Sequence, residues 1–140
     1  MQLQFIERPK LDAVALGQLR RAVGWDERLE KIRLTLGRCY YWAGCFDGGK
    51  LIGFVEVVSD GVDDAYIRNL MVHPDYQRRG IGLKLLQMAQ GRIKADGIKT
   101  VNLLFEPELA PFYRKAGFRI VSGGLIDNEA GTAPGGQSSP

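Results

Sequence analysis

Between Val72 and Gly82 the sequence changes its hydrophobic period, and that change dictates a strand, a tight turn and a helix in that order. Tyr66 to Val72 reads as a strand, and His73-Pro74 ends it because proline cannot donate to a ladder. From Ile81 the apolar positions Leu85, Met88, Ala89 and Ile93 follow a helical spacing that Gly97 closes. The turn itself, Gln77-Arg78-Arg79-Gly80-Ile81-Gly82, is glycine-rich and basic. Glycines let a ligand approach the backbone, and the free N–H groups of a helix N-terminus carry partial positive charge. A pyrophosphate suits that environment, and Arg78 and Arg79 would screen its charge. On the glycines alone, an ordinary basic turn before a helix explains the segment equally well. A Walker A loop is excluded because no Gly-Lys-Ser/Thr follows, and the glycine spacing of a dinucleotide fold is absent.

The elements around this turn define a fold class. Leu3 to Ile6 reads as a short strand, with Pro9 placed in the first turn of a helix whose stripe is Leu11, Val14, Ala15, Leu19, Ala22 and Val23. Gly24 ends that helix, and Asp26 is positioned to cap a second in which Leu29, Ile32 and Leu36 face inward. Cys39–Phe46 and Leu51–Val58 are strands joined by Asp47-Gly48-Gly49-Lys50, a strong hairpin signal. Ser59 to Asp64 turns the chain into the strand that ends at Val72. Thr100 to Phe105 reads as another strand, Glu108 to Lys115 as a short helix and Phe118 to Val121 as a last strand. The order is βααβββαβαβ, an α/β (α+β) domain with a mixed, mainly antiparallel sheet flanked by helices. It is expected to span residues 1–122, followed by a Gly/Pro/Ser-rich, flexible tail over 123–140.

A chain of 140 residues with 45% hydrophobic and 25% charged content suits one domain with a real core. No apolar run approaches the length of a membrane span, and Met1 to Lys10 lacks the apolar stretch of a secretory signal, so a cytoplasmic protein is expected. Cys39 and Cys45 lie too far apart along one strand to bridge and are expected as reduced, buried thiols. The net charge of +3 points only weakly to an anionic ligand. Nothing resembles a recognition helix or a stacking platform, so no nucleic acid is expected, and no metal either. The oligomeric state stays open, a homodimer included.

Gln77 to Gly82 matches the Q/R-x-x-G-x-G/A signature of the GNAT acetyltransferases, and Ala110-Pro111-Phe112-Tyr113-Arg114-Lys115-Ala116-Gly117-Phe118 is similar to their FY-x-x-x-GF element. The resemblance runs from about Leu3 to Val121. It implies acetyl-coenzyme A as cofactor, with backbone groups of Leu70, Met71 and Val72 pairing with the pantetheine arm. It also implies a pyrophosphate held by Gln77, Arg78, Arg79, Gly80, Ile81 and Gly82. The implied reaction moves an acetyl group to a primary amine by direct attack in a ternary complex. No cysteine near the motif offers itself as a nucleophile. The alternatives are a non-catalytic acyl-CoA sensor, or an enzyme acting on a protein N-terminus or lysine.

Acyl transfer to an amine moves two protons. Tyr113 matches the family tyrosine near the acetyl-CoA sulfur, and a phenol of reference pKa about 10 can protonate a thiolate; otherwise it is a core aromatic. For the base, Glu56 lies mid-strand among apolar residues, either facing a cleft or turned to solvent. Tyr66 and Arg68 stand where arylalkylamine acetyltransferases carry histidines, so that relay is missing, and His73 reads as a loop or capping residue. Glu106 stands where many members carry an asparagine, with Asn102 as a substitute or a solvent-facing residue. Trp25, Tyr41 and Trp42 either line a pocket for a small aralkylamine or belong to the core.

Overall fold

The computed structural model describes residues 1–129; the end of the expected flexible tail, 130–140, lies outside them. The chain divides into two units, residues 1–102 and the segment from Leu103 onward. Among the described residues no helix is long and apolar enough to cross a membrane.

The first unit carries β1 (Leu3–Glu7), α1 (Ala13–Ala22), α2 (Leu29–Thr35), β2 (Tyr41–Asp47), β3 (Lys50–Ser59), β4 (Asp64–Val72), α3 (Ile81–Ala95) and the start of β5 (Thr100–Leu103). The strands follow one another in the sheet in sequence order, β1 to β5. The first three neighbouring pairs are antiparallel. This is the mixed, mainly antiparallel sheet that the sequence leads one to expect. Gly48 and Gly49 turn the β2–β3 hairpin with φ of 54° and 89°, the left-handed pair that a two-residue hairpin of this type demands.

Alternation divides the sheet into two apolar faces. On one, α3 lays Ile81, Leu85, Leu86, Ala89 and Ile93 against β2, β3 and β4. On the other, Leu16 and Leu19 of α1 and Ile32 of α2 join Leu51, Phe54 and Met71 in a single cluster. Gly53 sets how closely α3 approaches: a Cβ there would lie 3.0 Å from Leu85 Cδ1, 3.2 Å from Ile81 Cγ2 and 3.3 Å from Cys45 Cβ. Gly53→Val is therefore expected to destabilise the fold by about 1–3 kcal/mol through overpacking. Urea denaturation with an unchanged m-value checks it.

Several boundaries depart from the sequence reading. Helix α1 starts at Ala13 with Asp12 as its cap, Oδ1 accepting from the Val14 N–H at 3.0 Å; Pro9 lies ahead of it, its carbonyl taken by Trp42 Nε1 at 2.9 Å. Asp26 does not cap α2. The C-terminal turn of α1 extends through Trp25, whose N–H bonds the Arg20 carbonyl at 2.8 Å, so α2 begins later, at Leu29. Cys39 and Tyr40 bend before β2 and are not part of it, as the Tyr40 carbonyl accepts from Arg8 Nη2 at 2.9 Å.

From Leu103 onward the chain forms a 3₁₀ turn (Pro107–Leu109) and α4 (Ala110–Lys115). The expected strand Phe118–Val121 is absent. Its residues keep a strand-like alternation of half-buried and exposed positions, but they form no ladder. Alternation fixes which way side chains face; a strand also needs a hydrogen-bonded neighbour, and residue pattern does not supply one.

Candidate functional site

Strand β4 contains the feature that organises the first unit's site. Phe54 faces Met71 and Glu56 faces Arg68 across the β3–β4 ladder, so Val55 alone opposes both Asn69 and Leu70. The extra residue makes a β-bulge, and Asn69 adopts a φ of 56°, the left-handed region that asparagine tolerates better than most residues. Without the bulge, Arg68 and Met71 would project to opposite faces, being three residues apart. With it, both line one cavity of about 170 Å³ together with Phe54, Glu56, Asn69 and Trp42. Helices α1 and α2 and the loop between them close the other side with Arg20, Arg28 and Lys31.

Glu56 faces this cavity and not solvent; it is the buried charged residue of the sheet, with 8% of its surface exposed. Its Oε2 accepts from Arg68 Nε at 2.8 Å and from the Cys39 thiol at 3.1 Å. Arg68 is thus the directly opposite partner of Glu56, an ion pair built by strand register. Burial, then the bond to Glu56, pushes the Cys39 thiol up to about 11, and burial does the same to Cys45. Both cysteines are free, and both are held as thiols, the form that is a poor nucleophile. Cys45 is buried, as expected, and Cys39 only half-buried.

The aromatic residues expected around an amine are not brought together. Trp42 lines the cavity. Tyr41 is 1% exposed and points the other way along β2, its hydroxyl donating to Glu7 Oε1 at 2.9 Å. Trp25 is exposed, with the Arg20 guanidinium over its ring at 5.3 Å.

The same strand leads out of the cavity into the glycine turn. His73 caps the short 3₁₀ turn Pro74–Tyr76 through Nδ1, which accepts from the Asp75 N–H at 3.1 Å, so its place is a capping one. Tyr76 pins this turn to the β2–β3 hairpin by donating to Asp47 Oδ2 at 2.6 Å, and Arg79 lies over the Tyr76 ring at 5.9 Å. Gln77 Nε2 donates to the Val72 carbonyl at 3.0 Å, so that carbonyl is already bonded, contrary to the expectation of a free one. Leu70 is the second residue of the bulge, and Met71 follows it toward the turn. Gln77, Arg78, Arg79 and Gly80 are exposed, and Ile81 is buried as the first core contact of α3.

Gly80 is the N-cap of α3 with φ 79°, and no side chain caps it. The first α3 amide that bonds back to the cap is that of Lys84, to the Gly80 carbonyl at 3.0 Å. The amides before it, including those of Ile81 and Gly82, have no intrahelical acceptor by helix geometry. A Cβ built at Gly80 meets no atom within 4 Å, so the space over the turn is open. Arg78, with φ 63°, holds a second left-handed position beside it. Open amides, helix polarity and two exposed guanidiniums fit an anionic pyrophosphate.

Tyr113 belongs to the second unit. On α4 it is buried within a ring cluster, stacked on Phe105 at 4.6 Å and edge-on to Phe112 at 5.0 Å and Phe118 at 6.0 Å. Burial alone raises its phenol above the ordinary value. Asn102 is exposed, and its Nδ2 donates to Asp64 Oδ1 at 2.9 Å, which ties β5 to the first residue of β4.

The bulged strand thus runs from a cavity that holds one carboxylate among several cationic side chains to a helix start whose open amides suit an anion. The chain belongs to the GNAT acetyltransferases: residues 37–120 match the model described as the acetyltransferase (GNAT) domain. It is 32% identical over 108 residues to the uncharacterized N-acetyltransferase ycf52 of Pyropia yezoensis, covering 74% of this chain and 62% of that one. It is 27% identical over 115 residues to serotonin N-acetyltransferase 2, chloroplastic, of Oryza sativa subsp. japonica, covering 79% of this chain and 58% of that one. A solved GNAT family acetyltransferase of Streptococcus pneumoniae TIGR4 superposes with a TM-score of 0.78 at 27% identity, over 91% of this chain and all of the other. The chain therefore spans about three fifths of the length of the curated relatives it matches.

Proposed function

We propose that this chain moves an acetyl group from acetyl-CoA to a small primary amine by direct attack in a ternary complex. The observation that carries the reading is β4 itself, which lines the cavity at its bulge and ends at the anion-binding turn. Acetyl-CoA, when bound, would supply a thioester whose acyl carbon gains the nitrogen of the neutral amine as the C–S bond breaks; the ammonium gives up one proton before attack, the nitrogen a second as the amide forms, and sulfur gains one, so that one proton is released overall. The amides of Ile81 and Gly82, with Arg78 and Arg79, hold the pyrophosphate, and the β4 backbone at Leu70 and Met71 holds the arm. Glu56 takes the proton of the ammonium, directly or through one water, while Arg68 and Cys39 fix its orientation. Tyr113 supplies the proton to sulfur; that role rests on the FY-x-x-x-GF motif. Two protonated thiols support direct attack over an acetyl-cysteine route. The aralkyl acceptor draws support from the rice relative's name, but in the cavity only from Trp42.

The experiment replaces Gly82 with aspartate, which sets a carboxylate at the start of α3 where the anion is to bind. Acetyl-CoA affinity measured by calorimetry is expected to fall at least tenfold, about 1.4 kcal/mol or more, with melting temperature little changed. Unchanged affinity would move the cofactor elsewhere.

A further inference from the structure

The neutral polar side chains that line the cavity are already engaged, with one exception. Thr35 Oγ1 donates to the Lys31 carbonyl at 2.9 Å, Trp42 Nε1 to the Pro9 carbonyl at 2.9 Å, and the Cys39 thiol to Glu56 Oε2 at 3.1 Å. Asn69 lines the same cavity, and its carboxamide makes no hydrogen bond among the described residues. A carboxamide has two N–H donors and an acceptor oxygen to satisfy. Half-buried at a cavity wall, that of Asn69 must turn to water or to the polar groups of a ligand.

The backbone supplies a second observation. Asn69 has a φ of 56° in the bulge, where it and Leu70 share Val55 as their partner. Asparagine tolerates that region, and glycine adopts it at no steric cost, so either residue would serve the backbone. Asparagine adds a polar group to the wall of a cavity that also holds Glu56, the carboxylate assigned to the amine. Its neighbour in sequence is Arg68, the ion-pair partner of that carboxylate at 2.8 Å.

We infer that Asn69 sets acceptor specificity: its left-handed backbone makes the bulge, and its carboxamide hydrogen-bonds a neutral polar group of the acceptor, a hydroxyl or an amide, while the amine nitrogen faces Glu56. This deepens the acetyl-transfer reading and rests on it. A site placed to bond a substrate O–H or N–H rejects the analogue that lacks it, because the protein group is then left unpaired. Water rescues a half-buried amide in part, so a preference of about tenfold is expected and not the roughly 10⁴- to 10⁵-fold of a fully enclosed site.

The test compares phenethylamine with 2-amino-1-phenylethanol, which adds a hydroxyl, and with phenylalaninamide, which adds an amide; acetyl-CoA turnover is read as released thiol. At least one of the two polar amines is expected to show kcat/KM ten or more times that of phenethylamine, and which one does so identifies hydroxyl or amide. The preference should fall below threefold in Asn69→Gly, which keeps the backbone, while acetyl-CoA affinity and melting temperature hold. Asn69→Ala removes the same carboxamide and strains the left-handed position, so it should lose the preference and melt lower, which separates side chain from backbone. Equal or better turnover of phenethylamine against both polar amines overturns the inference, as does a preference unchanged in Asn69→Gly. If no amine releases thiol, the acetyl-transfer reading fails on its own, and calorimetric titration of the same three amines still decides the role of Asn69. Tenfold tighter binding of a polar amine, lost in Asn69→Gly, upholds it, and equal or absent binding overturns it.

Discussion

Tyr113→Phe is expected to lower the turnover number by about 10²- to 10⁴-fold, the range that general acid assistance supplies, equivalent to about 3–5 kcal/mol in the transition state. The ring remains in its cluster with Phe105, Phe112 and Phe118, so the change removes one hydroxyl from an otherwise intact helix. Acetyl-CoA affinity and melting temperature should stay near wild type. A tyrosine with only a structural role would behave otherwise, losing about 0.5–1.5 kcal/mol of hydrogen-bond stability and little rate. The pH dependence has a definite sign. Burial favours the neutral phenol, so Tyr113 keeps its proton above the ordinary value of about 10, and an acid must be protonated to act. The alkaline limb of the wild-type profile therefore lies above that value and disappears in the variant. A folded variant with half or more of wild-type turnover removes Tyr113 from the mechanism.

Local signals made much of this molecule legible. Gly48-Gly49 fixed the hairpin because both positions need positive φ, and the spacing from Ile81 to Ile93 fixed α3 because Ile81, Leu85, Ala89 and Ile93 bury against one sheet face, with Leu86 joining them and Met88 only half-buried. The Gly80 turn was legible for the same reason, a glycine at a left-handed cap between a strand and a helix. What stayed hidden depends on partners distant in sequence. A period of two says that Tyr41 and Trp42 point opposite ways, but only the packing of α1 and α2 decides that Trp42 faces the cavity and Tyr41 the α3 side. Arg68 could not be read as the partner of Glu56, because strand register places it there. The bulge had one faint signal, an asparagine inside an apolar strand, where its tolerance of the left-handed region is useful. The cationic wall was hidden too: Arg20, Arg28 and Lys31 look like the wet faces of two helices until the cavity is seen between them.

Glu56→Gln is expected to reduce kcat/KM by about 10²- to 10⁴-fold at neutral pH, since the amide keeps the volume and cannot take a proton. The rest of the site constrains the interpretation. Arg68 loses the carboxylate at 2.8 Å and Cys39 the acceptor at 3.1 Å, so some stability must go as well. A hydrogen bond to a charged group is worth about 1.5–3 kcal/mol, and the guanidinium, 36% exposed, is partly rescued by water, so the loss should fall at the lower end. The rate effect is the larger one, and pH separates its causes. If Glu56 is the base, the acidic limb of the profile vanishes in the variant, and turnover climbs steadily with pH as the amine loses its own proton in solution. If Glu56 serves only to hold Arg68, the limb persists and the rate is lowered evenly at every pH. Glu56→Asp keeps the charge on a shorter arm, and partial recovery of rate with the limb restored would assign the proton to the carboxylate. Loss of rate without loss of the limb would leave Glu56 as a positioning residue and direct the search for the base to solvent.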